Sequence, residues 1–280
     1  MKIKNKEFDF KNNIYTMGIL NLTPDSFSDG GYYTDVEAAL KRARQMVKEG
    51  VDIIDVGAES TRPGAKYIEE EEELRRLLPV VERLVKEVEV PISIDTYKSK
   101  VAEECLKLGA HIINDIKGLK DDPKMAEVVA NYGVPIIIMH IKGTPKTMQD
   151  NPHYDNLIGE ISKSLEESVE IAVKAGIKKE NIILDPGIGF GKTFNGNLEI
   201  IDRLGKFKKL GYPILVGASR KGFIGEILGT PPLERVEGNL AVAVLSAYNG
   251  ASIMRVHEVK ETVQALKVVK AIKKQLITNN

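Results

Sequence analysis

Cysteine is almost absent from this chain: Cys105 is the only one in 280 residues. That excludes a disulfide framework and points to a reducing setting. Net charge is also absent, since 40 basic side chains balance 40 acidic ones. A nucleic acid or a polyanionic membrane surface is therefore not the main partner, although a local basic pocket stays open. No apolar run approaches the length that spans a bilayer, and the charged N-terminus lacks the apolar core of a secretion signal. Together these absences imply a cytoplasmic protein. There is no Pro/Ser-rich linker, low-complexity tract or shift of composition, so one domain is expected over residues 1–280. His111, His140, His153 and His257, with Cys105, show no zinc-ligand spacing.

What is present is a repeated punctuation. Helix-patterned segments end at Gly50, Gly109, Gly133, Gly176, Gly211 and Gly250, and an apolar β-branched run follows each: VDIIDV, HIIND, PIIIM, NIILD, PILVG and SIMRV. Each glycine reads as the residue that ends a helix before a buried strand. IYTMGIL near the start and PISID at Pro91 to Asp95 complete a set of eight strands. Val36 to Val47 reads as an amphipathic helix led by a Thr34/Glu37 capping box. Met125 to Tyr132 reads as another, led by Asp122 as N-cap and Pro123 as N1. A helix from Glu69 to Val88 contains Pro79, where a kink or break is expected. Eight strand-helix units of this size fit the α/β class as a single-domain (β/α)8 TIM barrel, with a doubly wound open sheet as the structural alternative.

The strands end in Asn21, Asp55, Asp95, Asn114 with Asp115, His140, Asp185, Ser219 with Arg220 and Lys221, and Arg255 with His257. In a barrel these ends share the C-terminal face, where residues distant in sequence converge on one pocket. For any single Asp or Asn the plainer reading is a cap bonded to neighbouring backbone. Met17 to Gly31 passes from a strand into a polar loop bearing Asp25, Phe27 and Asp29, and reads either as a wide turn or as a functional loop. Arg62, Arg220, Lys221, Arg255 and His257 in late or long loops suggest an anionic, phosphorylated ligand. Asp95, Asn114 and Asp185 end apolar strands. They suit the donor edge of a purine- or pterin-like ring, with acid-base work as the competing role.

DPGIGFGKT, Asp185 to Thr193, is not a P-loop, because Pro186 stands where that motif needs glycine. Its glycines are expected to let backbone approach a ligand under Phe190. A divalent ion here would be hard and oxygen-ligated, held by Asn21 and the ligand's phosphates. The charged run Ile68 to Arg76 reads as a solvated helix face.

Three motifs in order, NLTPDSFSDGG (Asn21 to Gly31), ESTRPG (Glu59 to Gly64) and SRKGFIG (Ser219 to Gly225), resemble the dihydropteroate synthase family. IDTYK, INDIKG, MHIKGTPKTMQ, LDPGIGFGKT and RVHEV match further motifs of that family in the same order, so the likeness covers nearly the whole chain. The resemblance implies a homodimeric barrel that condenses 6-hydroxymethyl-7,8-dihydropterin diphosphate with 4-aminobenzoate, using Mg2+, in folate synthesis, and that is a sulfonamide target. It implies pterin contacts at Asp95, Asn114, Asp185 and Lys221, and diphosphate contacts at Thr61, Arg62, Arg255 and His257. It implies a metal contact at Asn21 and aminobenzoate contacts at Phe27, Pro63, Phe190, Ser219 and Gly222. Asp25 and Asp29 on the first loop would join Lys221 and Arg255 in catalysis, which in the family proceeds by departure of diphosphate before the amine attacks. Gly222 departs from the expected Ser or larger residue, Ala58 from a usual Gly, and GKTFNGN is less typical after DPGIGF. A pterin-binding methyltransferase of related barrel type would share the ring contacts but has no use for a diphosphate grip. A catalytically inactive pterin-binding subunit would be expected to have lost loop motifs that are intact here.

Overall fold

The structure is a computed structural model that describes residues 1–22, 32–61, 64, 65, 67–150 and 152–278, without the side chains of 32–35 and 275–278. Eight strands form one parallel sheet: β3 (Tyr15–Asn21), β4 (Ile53–Gly57), β5 (Ile92–Asp95), β6 (Ile112–Asp115), β7 (Ile136–Met139), β8 (Ile182–Asp185), β9 (Leu215–Val216) and β10 (Ile253–Val256). A parallel bridge between Leu184 and Ile214 joins the two ends of the sheet, and Leu184 N–H donates to Pro213 O at 2.9 Å. The sheet is thus a closed barrel. All eight expected strands are where the apolar runs lie, and a short antiparallel hairpin, β1 (Lys2–Ile3) and β2 (Lys6–Glu7), precedes them.

Helices fill the crossovers: α1 (Tyr32–Glu49), α2 (Glu70–Glu87), α3 (Ser99–Lys107), α4 (Met125–Tyr132), α5 (Leu157–Lys174), α6 (Phe194–Asp202), α7 (Gly222–Leu228), α8 (Val236–Asn249) and α9 (Val259–Thr278). The protein is therefore a (β/α)8 barrel. Positive φ at Gly50, Gly109, Gly133, Gly176, Gly211 and Gly250 accounts for their places before six of the strands.

Inside the barrel, side chains change character in one step. Tyr15, Met17, Ile53, Ile112, Ile137, Ile183, Leu215 and Ile253 form one apolar layer, closed from below by Ile3 and Phe8 of the N-terminal segment. Two residues further along the strands, on the same face, stand Ile19, Asp55, Asn114, Met139, Asp185, Gly217 and Arg255. The apolar layer stabilises the barrel, while the layer above it carries charge.

Several local expectations change. α2 runs unbroken through Pro79, because Leu77, Val80, Val81 and Leu84 bury a face of the helix and offset a proline cost of about 3 kcal/mol. α1 starts at Tyr32, so Thr34 lies within its first turn and is not its N-cap. The N-cap position of α4 is Lys124 rather than Asp122. Asp122 instead accepts from Lys124 N–H at 3.0 Å and, with its other oxygen, from Ser99 N–H at 2.7 Å at the start of α3. Nor is the run Ile68 to Arg76 wholly solvated, for Glu73 is buried and paired with Lys98.

Candidate active site

Register places the polar residues side by side. Asn21 pairs with Gly57, Gly57 with Asp95, and Asp95 with Asn114 across β3 to β6. Arg255 reaches over from β10, with Nε 2.6 Å from Asp55 Oδ2 and Nη2 2.6 Å from Asp95 Oδ2. Asn114 Nδ2 donates to the same Asp55 oxygen at 3.1 Å. Asp55 Oδ1 is buried with no hydrogen-bond partner among the described residues. Such an orphan is an unsatisfied acceptor in the polar layer beneath Asp95 and Arg255, both of which face the cavity.

Above this layer lies a cavity of about 610 Å³, lined among others by Asn21, Thr61, Asp95, Ser219, Lys221 and Arg255. Gly222 and His257 also line it, whereas Asn114, Asp185 and Phe190 are buried against its floor. Burial governs the ionisation of the floor. It raises Asp185 to about 6 and lifts Asp95 above the carboxylate range against the pull of Arg255. Burial, with Arg255 close by, lowers Lys221 to about 8. Burial opposes the charge on Arg255, yet Asp55 and Asp95 hold its pKa above the ordinary value.

The last two strand ends are locked together. Ser219 Oγ lies 2.9 Å from His257 Nδ1 and donates to Glu258 Oε2 at 3.0 Å. Arg220 has φ of 62°, and its Nε donates to Glu258 Oε1 at 2.7 Å. Its backbone N–H donates to Asn239 Oδ1 at 2.9 Å. Glu258 thus engages the guanidinium that the sequence offers to an anion, which still lines the cavity. A left-handed non-glycine residue is strained, and this network holds it so that Ser219 and Lys221 both line the cavity.

The DPGIGFGKT loop lies against protein rather than only beneath a ligand. A Cβ on Gly187 (φ 69°) would come 1.9 Å from His140 O, and one on Gly189 (φ 82°) 3.0 Å from Lys221 Cδ. Lys192 is buried in this loop and places Nζ 2.8 Å from His140 Nδ1, while donating to His140 O and Phe190 O at 3.0 and 2.9 Å. Phe190 packs with Ile116, Met139 and Met148, and Lys221 Nζ stands 3.8 Å from the centre of its ring. Asp115 illustrates the plainer reading of a strand-end carboxylate, since it accepts from Lys117 and Leu119 N–H at 2.7 and 2.8 Å.

The structure therefore gathers Asn21, Thr61, Asp95, Ser219, Lys221, Gly222, Arg255 and His257 around one cavity, with Asn114, Asp185 and Phe190 behind its floor. Asp25, Phe27, Asp29, Arg62 and Pro63 lie outside the described residues. The sequence marks Asp55 only as a strand end, although its apolar run, VDIIDV, carries the same signal as that of Asp95. Among the described residues no cluster of three His, Cys, Asp or Glu could hold a metal ion, and no helix is long and apolar enough to cross a membrane.

Comparison with known proteins agrees with this geometry. The family model described as pterin binding enzyme matches residues 17–257. A dihydropteroate synthase of Clostridium beijerinckii is 49% identical over 97% of this chain and 99% of its own length. The structure of the Yersinia pestis dihydropteroate synthase with a sulfonamide drug complex superposes with a TM-score of 0.92 at 43% identity, over 98% of this chain and 99% of that one. The Xanthomonas albilineans dihydropteroate synthase in complex with 7,8-dihydropteroate gives 0.85 at 41% identity, over 94% of each chain. On a family model that matches residues 17–257 and a relative about half identical along its length, this chain belongs to the pterin-binding enzyme family, among the dihydropteroate synthases.

Proposed function

We propose that the chain condenses 6-hydroxymethyl-7,8-dihydropterin diphosphate with 4-aminobenzoate, giving 7,8-dihydropteroate and diphosphate. The observation that carries this reading is the buried carboxylate layer, with the orphaned Asp55 Oδ1, lying under a cavity lined by Lys221, Arg255 and His257. A pterin ring presents amino and ring N–H donors on one edge, and Asp95, Asp185 and Asn114 with Asp55 supply the acceptors they need. Lys221 stands over Phe190 beside the same floor. Thr61, Arg62, Arg255 and His257 are the diphosphate contacts. Phe27, Pro63, Phe190, Ser219 and the Gly222 backbone are the aminobenzoate contacts, and Asp25 and Asp29 act from the first loop.

No protein nucleophile is required. The bond between the pterin methylene carbon and the diphosphate oxygen breaks with its electron pair leaving on oxygen. The aniline nitrogen then forms the new bond to carbon and loses a proton. Cations of the protein stabilise charge on the leaving group, and the buried carboxylates favour positive charge on the ring. Asn21 lines the cavity at the end of β3 and offers one hard oxygen donor, which with phosphate oxygens suits Mg2+. When bound there, Mg2+ adds positive charge beside the departing diphosphate.

Two copies are the expected assembly, with exposed Leu245 and Tyr248 on α8 and Val268 and Ile272 on α9 as apolar surface for a second copy to cover. A monomer mass by light scattering would overturn that. Incubating the purified chain with both substrates and Mg2+ tests the reaction: diphosphate and dihydropteroate should appear together. Product formation that needs no pterin diphosphate, or none at all, would sink the reading.

A further inference from the structure

At the edge of the cavity, reached through Glu59, sits a buried charge cluster that the reaction described above does not use. Lys98, at the N-cap position of α3, has a side chain 5% exposed. Its ammonium donates to Glu59 Oε2 at 2.5 Å, Glu73 Oε2 at 2.6 Å and the backbone O of Ile68 at 2.8 Å. These three acceptors match the three N–H bonds of an ammonium. Tyr97 O–H donates to the other oxygen of Glu59 at 3.0 Å, and the ring of Tyr67 lies 4.5 Å from Lys98 Nζ. Burial disfavours the ammonium, but Glu59 and Glu73 keep it charged.

The sequence positions of these partners give the cluster its meaning. Glu59 opens the ESTRPG segment that carries Thr61, Ile68 closes the connection before α2, and Glu73 belongs to the first turn of α2. One side chain from a different crossover therefore ties down both ends of the connection. Arg76 adds a second tie, donating to Ala58 O at 3.1 Å and to Glu72 Oε1 at 2.7 Å. A connection held at both ends has far fewer conformations than one held by its flanking elements alone. Glu59 and Thr61 both line the cavity, so the restriction acts on the site.

We propose that Lys98, with Glu59 and Glu73, is a positioning centre that holds Glu59 to Thr61 against the start of α2 in the register the reaction needs, without touching substrate. This rests on the synthase reading for its effect on turnover, but not for its effect on the connection.

The experiment compares wild type with Lys98→Met, and with Lys98→Met combined with Glu73→Gln. The double variant removes the cation without leaving two buried carboxylates facing each other, and so keeps the test open should the single variant fail to fold. Hydrogen exchange by mass spectrometry needs no substrate. Peptides covering Gly64, whose N–H donates to Pro145 O at 3.2 Å, and the first turn of α2, where Glu72 and Glu73 N–H donate to Glu69 O, should exchange at least tenfold faster, while peptides of β5 to β8 keep wild-type protection. Kinetics should show kcat, or KM for 4-aminobenzoate, worsened at least tenfold. The dissociation constant of 6-hydroxymethylpterin, which lacks the diphosphate, should stay within about threefold of wild type. Lys98→Arg, which keeps the charge, should recover part of both losses. Wild-type exchange in those peptides, or pterin affinity falling in step with kcat, would overturn the proposal. A wild-type enzyme without synthase activity but with the exchange difference intact would remove the functional reading and keep the positioning role.

Discussion

Arg255 and Lys98 are built alike and placed differently. Each is a cation held between two carboxylates, Asp55 and Asp95 at 2.6 Å in one case, Glu59 and Glu73 at 2.5 and 2.6 Å in the other. The ammonium of Lys98 spends its three N–H bonds on two carboxylates and a carbonyl, and its side chain is sealed at 5% exposure. The guanidinium of Arg255 has five N–H bonds, engages the carboxylates through two of them, and lines the cavity at 20% exposure. A saturated cation can only hold what it already holds. An unsaturated one keeps donors for an anion and can trade partners when a ligand arrives. The difference between fixing a structure and binding a substrate thus lies in donor number and access rather than in charge.

Replacing each cation is the most direct way to break this contrast. Lys98→Met strands Glu59 and Glu73 in a sealed space, and removing one partner from a buried ion pair costs about 3–5 kcal/mol. Urea unfolding should show a loss of that order. Arg255→Ala strands Asp55 and Asp95 beside an open cavity that can hydrate them, so its unfolding loss should be about half as large or less. Its turnover should fall by about a hundred- to a thousandfold, the usual effect of removing one group that stabilises developing charge. Equal stability losses in the two variants, or near-wild-type turnover of Arg255→Ala, would show that the two centres do the same job.

The floor sharpens the contrast in another way, because a site that binds donors must hold its acceptors ready. Asp185 is buried and titrates at about 6 in the folded protein, against an ordinary value of 3.8. A folded pKa above the unfolded one means that the contribution to stability is full below about 3.8 and is lost as pH rises through about 6. Above that, the ionised carboxylate costs about 2–3 kcal/mol at 1.36 kcal/mol per pH unit. Asp185→Asn removes the titration, so the free protein should gain up to that much stability at pH 8 while losing pterin affinity. The gain over wild type should grow between pH 4 and 6 and then level off. A difference independent of pH would show that the carboxylate is satisfied in the empty site.

The parts of this molecule that follow from local pattern were legible before the fold was. Six of the eight strands are apolar runs after a glycine, and a period of two puts Asp55, Asn114 and Asp185 on the same face as the apolar residues two places earlier. What pattern could not reveal is which charges meet. Lys98 and Glu73 come from different crossovers, 25 residues apart, and nothing in a charged run distinguishes its one buried glutamate. Arg220 looks like an anion-binding arginine because it follows a strand, and pattern could not show that Glu258 engages its Nε and Nη2 at the edge of the cavity. Pro79 carries a strong local signal that the packing of α2 outweighs.

The smallest expected effect concerns Gly222, one of the residues at which the sequence departs from the expected family pattern. It is the first residue of α7, lines the cavity, and has nothing within 4 Å of where a Cβ would stand. Gly222→Ser therefore meets no steric objection, and exchanging glycine for serine in a helix gains a few tenths of a kcal/mol. The new hydroxyl would add one donor on the wall assigned to aminobenzoate. A hydrogen bond to a charged group is worth about 1.5–3 kcal/mol when buried and less beside an open cavity, so KM for 4-aminobenzoate should fall by about three- to tenfold. Pterin affinity should not move, because the proposed pterin contacts Asp95, Asn114 and Asp185 belong to the floor and not to this wall. A changed pterin affinity would mean that the wall and the floor are one site. An unchanged KM would place the aminobenzoate carboxylate away from the start of α7.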